Sequence, residues 1–298
     1  MSEQRQGNWL VVTVKVPSEE LSPLLAEGLV ASGASAIEER AGALVTYLAF
    51  TDAPEDRLAQ LRQQLEQFTG LVPDVEWDVK PERDWAEEWK RGLQPRRVGQ
   101  RLVVAPSWTE PELREGDVLV EIDPEMAFGT GEHASTRGVL RLLEQVIHPG
   151  DRMLDVGSGS GILTIAAVKL GAEHVIAVES DADAIINARD NLARNQVTTH
   201  SELIHGLVDL DYLARFPAHF DVLLANILSS VIIPLLPGFA VAIKPGGMLI
   251  TGGILQSEAE QVIAAAEQHG FSLVQEDREE EWWSGLLRRS SAEAPPAP

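Results

Sequence analysis

The spacing of apolar residues divides the chain into two stretches of different grammar. Residues 9–16 (WLVVTVKV) are rich in β-branched side chains and predict a strand. Pro17-Ser18 then opens Leu21, Leu24, Leu25 and Leu29, whose helical spacing predicts a helix. Beyond Gly33, residues 34–39 and 43–50 read as two strands joined across Arg40-Ala41-Gly42 in a hairpin. After Pro54, a second helical pattern runs through Leu58, Leu61, Leu65 and Phe68, and residues 75–79 read as a strand. The order is βαββαβ, the split arrangement of a ferredoxin-like α+β domain, expected over residues 1–80. That arrangement hosts many functions and names none.

Residues 81–97 (PERDWAEEWKRGLQPRR) break the pattern, with Trp85 and Trp89 four apart on one helix face. They predict a linking helix, 81–98, whose aromatic side packs on a neighbour. From Gly99 strands alternate with helices. Strands are expected at 102–105, 118–122, 153–156, 174–179, 201–205, 221–225 and 248–251, and near Phe271 and Trp282. Helices are expected at 134–146, 162–170, 182–195, 231–242 and 257–269. Such alternation implies an α/β domain over 99–289, with a parallel sheet, helices on both faces and a ligand crevice at the carboxyl ends of the strands. The Pro/Ala-rich end, 290–298, is expected to be disordered.

Composition narrows the partners. The 298 residues include 46 acidic and 24 basic side chains, a formal net charge of -22, which repels a phosphate backbone and disfavours broad nucleic-acid binding. Cysteine is absent, so disulfides, thiolate nucleophiles and cysteine-bound metals are excluded. The first ten residues carry no apolar leader segment, and the most apolar run, 231–243, contains two prolines. A soluble cytoplasmic protein with no membrane partner is the expectation.

Four segments carry chemistry. Leu154-Asp155-Val156-Gly157-Ser158-Gly159-Ser160-Gly161 runs from an apolar strand through a glycine turn into a helix, where backbone can approach a ligand and helix N–H groups are unpaired. Its third glycine comes one residue too early for a dinucleotide G-x-G-x-x-G turn, and the aspartate ahead of the first suits a cationic ligand better than a pyrophosphate. Glu179 ends the next strand, 22 residues after Gly157, where a carboxylate can accept from both hydroxyls of a ribose. Together these two segments describe an adenosyl site.

The third segment, residues 123–133 (DPEMAFGTGEH), is a second glycine loop before a helix. Ser135 and Thr136 beyond it either cap that helix, the commoner role, or turn their hydroxyls into the site. His133 has no second histidine at ligand spacing and reads as structural, with no metal expected. The fourth, residues 221–228 (DVLLANIL), ends a fully apolar strand on Asn226, an amide that can donate and accept at once and suits an amine or a cofactor's amino-acid end.

The combination DVGSGSG, the strand-end acid, ANIL, KPGGMLITGGIL, DWAEEWK and AFGTGEHAST resembles the PrmA family, the S-adenosylmethionine-dependent methyltransferases of bacterial large-subunit ribosomal protein L-eleven. The resemblance covers nearly the whole chain. It implies a class I, Rossmann-like methyltransferase domain, a preceding domain that recognises the protein substrate, and a linker that lets the two reorient. It also implies transfer of methyl groups to lysine or α-amino nitrogens. Carried over by position, Thr136, Gly157, Glu179 and Asn226 bind the cofactor, with Phe128, Gly129, Thr130, Gly159 and Gly161 around them.

Glu125 stands where the family commonly has glycine, Glu132 and Ala134-Ser135 alter a threonine- and proline-containing stretch, and Glu179 replaces the commoner aspartate. The last change keeps the carboxylate, whereas the altered loop bears on acceptor choice. Other readings are a methyltransferase of another protein or a small molecule, and a cofactor-binding assembly factor without turnover. A glutamine-amide methyltransferase would carry prolines after Asn226 instead of Ile227-Leu228.

Overall fold

The computed structural model describes residues 8–18, 21–32, 34, 37–40, 42–51, 53–81, 93–123 and 131–291. Residues 82–92 of the linking segment, with Trp85 and Trp89, the loop residues Glu125, Phe128, Gly129 and Thr130, and the last seven residues lie outside the described residues, while Arg96-Arg97 at the end of that segment form a strand instead of the expected helix. Contacts divide the chain into two compact units, Met1–Leu93 and Gln94–Pro298.

The first unit runs β1 (Asn8–Lys15), α1 (Ser22–Ala31), β2 (Ile37–Arg40), β3 (Ala43–Ala49), α2 (Pro54–Thr69) and β4 (Val75–Pro81). Its sheet is antiparallel, in the order β2-β3-β1-β4. Leu10, Val12 and Val14 alternate along β1 and are buried against Leu29 of α1 and Leu61 and Leu65 of α2, so a period of two meets a period of three and four in one core. Helix α2 has proline in its first turn and ends on Gly70, whose positive φ lets its N–H reach the carbonyl of Glu66.

The second unit opens with β5 (Arg96–Arg97), β6 (Leu102–Ala105), β7 (Val118–Glu121) and α3 (Ala134–Val146). It continues β8 (Arg152–Val156), α4 (Ile162–Leu170), β9 (His174–Glu179), α5 (Ala182–Arg194), β10 (Ser201–His205), α6 (Leu210–Ala214) and β11 (Phe220–Asn226). Helix α7 (Ser229–Ala242), β12 (Ile243–Leu255), α8 (Ala259–Gln268), β13 (Phe271–Glu279) and β14 (Trp282–Arg289) complete it. Seven strands form one sheet in the order β10-β9-β8-β11-β12-β14-β13. Met153, Val222 and Ile250 face one core with Leu140 and Ile165, and their chain neighbours Leu154, Leu223 and Leu249 face the other with Leu236 and Phe239. Helices therefore cover both faces, and the central strands read as unbroken apolar runs.

Two expectations change. The first five strands of the order are parallel, but β14 runs antiparallel to both β12 and β13, so the sheet is mixed. The turn between β13 and β14 is two residues long, too short for a parallel crossover. Strands β6 and β7 do not join this sheet but pair with β5 in a separate three-stranded one. The five-residue α6 escaped the sequence reading because it is too short for a helical period to register.

Candidate functional site

From β8 the chain proceeds to one side through β9 and β10, then returns to β11 on the other side of β8. The connections leaving β8 and β11 at their carboxyl ends diverge, and a crevice opens at this switch point. The glycine turn leaves β8, Glu179 ends β9 and Asn226 ends β11, so topology alone gathers three separately read segments. A cavity of about 580 Å³ lies there, with Gly157, Gly159, Glu179 and Asn226 in its wall.

Backbone bonds hold the turn to β9. The carbonyl of Val178 accepts from the N–H of Gly157 at 2.9 Å and of Ser158 at 3.2 Å. Oε2 of Glu179 accepts from the N–H of Gly159 at 2.8 Å, and Oε1 from Ser180 at 2.7 Å and Asp181 at 2.9 Å. Three backbone donors thus aim this carboxylate, and Oε2 keeps a lone pair for a further donor. Gly157 has φ of +72°, and a Cβ there would sit 2.6 Å from Cγ2 of Ile227. Only glycine satisfies both demands. Gly161, also left-handed, is the N-cap of α4 and packs towards Ala188; it supports the turn from behind.

Asn226 donates from Nδ2 to Oγ1 of Thr136 at 3.3 Å, while its buried Oδ1 has no hydrogen-bond partner among the described residues. An unpaired buried acceptor costs about 1–3 kcal/mol, so this oxygen is a ready partner for a ligand N–H. Thr136 is buried behind the wall and orients Asn226. The pairing of β12 with β14 shifts register between Thr251 and Ile254, and the resulting irregularity brings Gly253 into the wall.

The other walls were less legible in the sequence. His133 and Ser135 line the cavity, with Nδ1 of His133 2.7 Å from Oγ of Ser135. The His133 ring meets that of Trp282 edge-on at 4.6 Å between centroids. His133 thus packs structurally within the cavity wall. Neither Ser135 nor Thr136 is the cap of α3, since His133 occupies that position without a side-chain cap bond. Leu207, Leu228, Val231 and Trp282 also line the cavity and were missed. The only signal for Trp282 was an aromatic residue beginning a strand after an acidic turn.

Asp155 corrects a further expectation. It does not face a ligand: it is 0% exposed, accepts from Oγ1 of Thr164 at 2.7 Å, and is pushed up to about 7 by burial. Its role is inside the β8–α4 packing. The cavity thus combines an aimed carboxylate, a turn that presents Gly157 and Gly159 to it, an unpaired amide oxygen and an apolar end. This donor and acceptor set fits a ligand carrying ribose hydroxyls, a flat base and an amine.

The family described as Ribosomal protein L11 methyltransferase (PrmA) matches residues 18–290. The chain belongs to this family. A member from Heliobacterium modesticaldum is 39% identical over 253 residues, covering 84% of this chain and 79% of the relative. One from Symbiobacterium thermophilum is 44% identical over 218 residues, covering 73% and 69%. One from Pelobacter propionicus is 36% identical over 312 aligned positions, covering 96% and 99%. All three carry the name Ribosomal protein L11 methyltransferase. Among solved structures, the ribosomal protein L11 methylase from Lactobacillus delbrueckii subsp. bulgaricus matches with a TM-score of 0.58 and 26% identity, covering 66% of this chain and 99% of that one. Membership in the family agrees with the resemblance carried by the motifs, and the large α/β sheet agrees with a Rossmann-like domain. Among the described residues, no helix is long and apolar enough to cross a membrane.

Proposed function

We propose that the chain is an S-adenosylmethionine-dependent N-methyltransferase whose acceptor is ribosomal protein L11, modified on lysine ε-amino and/or α-amino nitrogens in the cytoplasm. The observation that carries this reading is the convergence of Gly157, Gly159, Glu179 and Asn226 on one crevice in a chain of this family.

Oε2 of Glu179 would accept a hydrogen bond from a ribose hydroxyl, and Gly157 and Gly159 would let the cofactor's amino-acid end lie against backbone. Leu207, Leu228 and Val231 form an apolar wall that would receive a flat base and exclude water from it. Oδ1 of Asn226 would accept from an N–H of that amino-acid end or of the incoming amine, with Thr136 holding the amide in place. Phe128, Gly129 and Thr130 are read as further cofactor contacts from the family resemblance. The chemistry supplied by bound S-adenosylmethionine is an electrophilic methyl group on a cationic sulfur. The protein's task is then to align a neutral amine in line with it, so positioning dominates.

The first unit is read as a ferredoxin-like, substrate-recognising domain over 1–80, on the support of its βαββαβ order and β2-β3-β1-β4 sheet. Segment 81–98 serves as the linker. The net charge of -22 favours encounter with a basic ribosomal protein. Incubating the chain with methyl-labelled S-adenosylmethionine and purified L11, then mapping the labelled residues, tests the proposal. Label on lysine or the α-amino group is expected. Absence of label from L11 overturns it.

A further inference from the structure

Arg137, one turn into α3, is a charged side chain only 5% exposed and outside the cavity wall. Its Nη1 donates to the backbone carbonyl of Glu132, the residue before His133. Its Nε and Nη2 both donate to Oε1 of Glu279, at 2.9 Å and 2.5 Å. Glu279 is the register partner of Trp282 across the β13–β14 ladder. One guanidinium therefore grips the backbone beside His133 and the strand position beside Trp282, and those two rings meet at 4.6 Å in the cavity wall. Arg141 braces the same carboxylate through Oε2 at 2.6 Å, and the two arginines hold the Glu279 carboxyl below the usual carboxylate range, Arg137 foremost.

We propose that Arg137 is a positioning residue for methyl transfer, setting the separation of His133 and Trp282 and hence the acceptor side of the cavity. The inference rests on the methyltransferase reading above. Arginine is suited to the role because its planar fork reaches a carbonyl and a carboxylate at once, which a lysine cannot reproduce. Glu179 and the glycine turn are held by their own backbone bonds, so the ribose side of the cavity is independent of this bridge. Loss of the bridge should therefore alter alignment at the acceptor end and leave cofactor binding alone. Misplacement by about 1 Å in a positioned reaction costs on the order of 100-fold in rate.

The test uses the full chain, S-adenosylmethionine, S-adenosylhomocysteine and purified ribosomal protein L11. Arg137→Gln and Glu279→Gln attack the bridge from its two ends, Arg137→Lys keeps only the charge, and Arg97→Gln breaks a control ion pair with Asp117 in the three-stranded sheet. Single-turnover transfer at saturating substrates is expected to fall roughly 10- to 100-fold in both Gln variants, with partial recovery in Arg137→Lys. S-adenosylhomocysteine affinity by calorimetry should stay within about twofold, and Arg97→Gln should transfer at the wild-type rate. The proposal is overturned if whichever Gln variant folds transfers at the wild-type rate, or if rate and S-adenosylhomocysteine affinity fall in parallel. If neither Gln variant folds, wild-type transfer by Arg137→Lys overturns it, and a 10-fold loss with intact affinity supports it. A wild-type chain that does not methylate L11 removes the underlying reading with it.

Discussion

Asp155 shows how burial changes the meaning of a residue. Its carboxyl is raised to about 7, well above the unfolded value of about 3.9. Between these values the native state holds a proton that the unfolded chain has released, so Asp155 contributes stability that is complete below about pH 4 and is lost as pH rises through 7. Asp155→Asn cannot ionise and should abolish this dependence. Urea midpoints measured from pH 5 to 8 should show the wild type losing about 2–3 kcal/mol relative to the variant. Parallel profiles would mean that the site tolerates the charge. Glu179, by contrast in role, is a strand-end carboxylate held in the cavity wall by three backbone N–H groups. Glu179→Ala should weaken S-adenosylhomocysteine binding by about 1.5–3 kcal/mol for a lost charged hydrogen bond while the fold survives. Calorimetric titration checks this, and wild-type affinity would leave Glu179 without a binding role.

At the scale of elements, α3 and the β13–β14 hairpin are the working pair, because together they carry His133, Ser135 and Trp282. They pack closely at Gly138, where a Cβ would lie 2.6 Å from Oγ of Ser284 and 3.1 Å from Oδ1 of Asp277. The glycine serves close approach, since its φ is not left-handed. Gly138→Val should overpack this contact and cost about 1–3 kcal/mol in urea unfolding. An unchanged midpoint would show that the hairpin yields freely. The hairpin is also anchored from within, as the indole of Trp283 is buried and donates to Oε2 of Glu276 at 2.8 Å. Of the adjacent tryptophans, one therefore faces the core and the other the cavity, as strand alternation requires.

For the whole molecule, the cofactor candidates all belong to the unit Gln94–Pro298. A chain lacking residues 1–80 should bind S-adenosylhomocysteine as the full chain does, each gaining about 2.7 kcal/mol at 100 times the dissociation constant. It should not methylate L11, because substrate recognition is assigned to the missing unit. Thermal melts and transfer assays read the two halves of this expectation separately. Unchanged catalytic efficiency in the truncated chain would place recognition elsewhere.

The chain's own letters determined whatever depends on local periodicity and on chemistry at strand ends. Helices α3 and α4 and strand β9 fall where the apolar spacing put them, because their buried faces are continuous over several residues. The glycine turn, Glu179 and Asn226 were legible because ligand crevices in such sheets lie at carboxyl ends, and each residue marks one. Partnership was not legible. The removal of β6 and β7 to a sheet of their own depends on which edge they meet, as does the antiparallel entry of β14 beside β12. The His133–Trp282 contact joins residues 149 positions apart, and the Arg137–Glu279 bond joins residues 142 apart. No local pattern encodes such pairs. Asp155 and Thr136 follow the same logic, since one step along a strand or helix turns a polar group from cavity to core, and packing alone decides which.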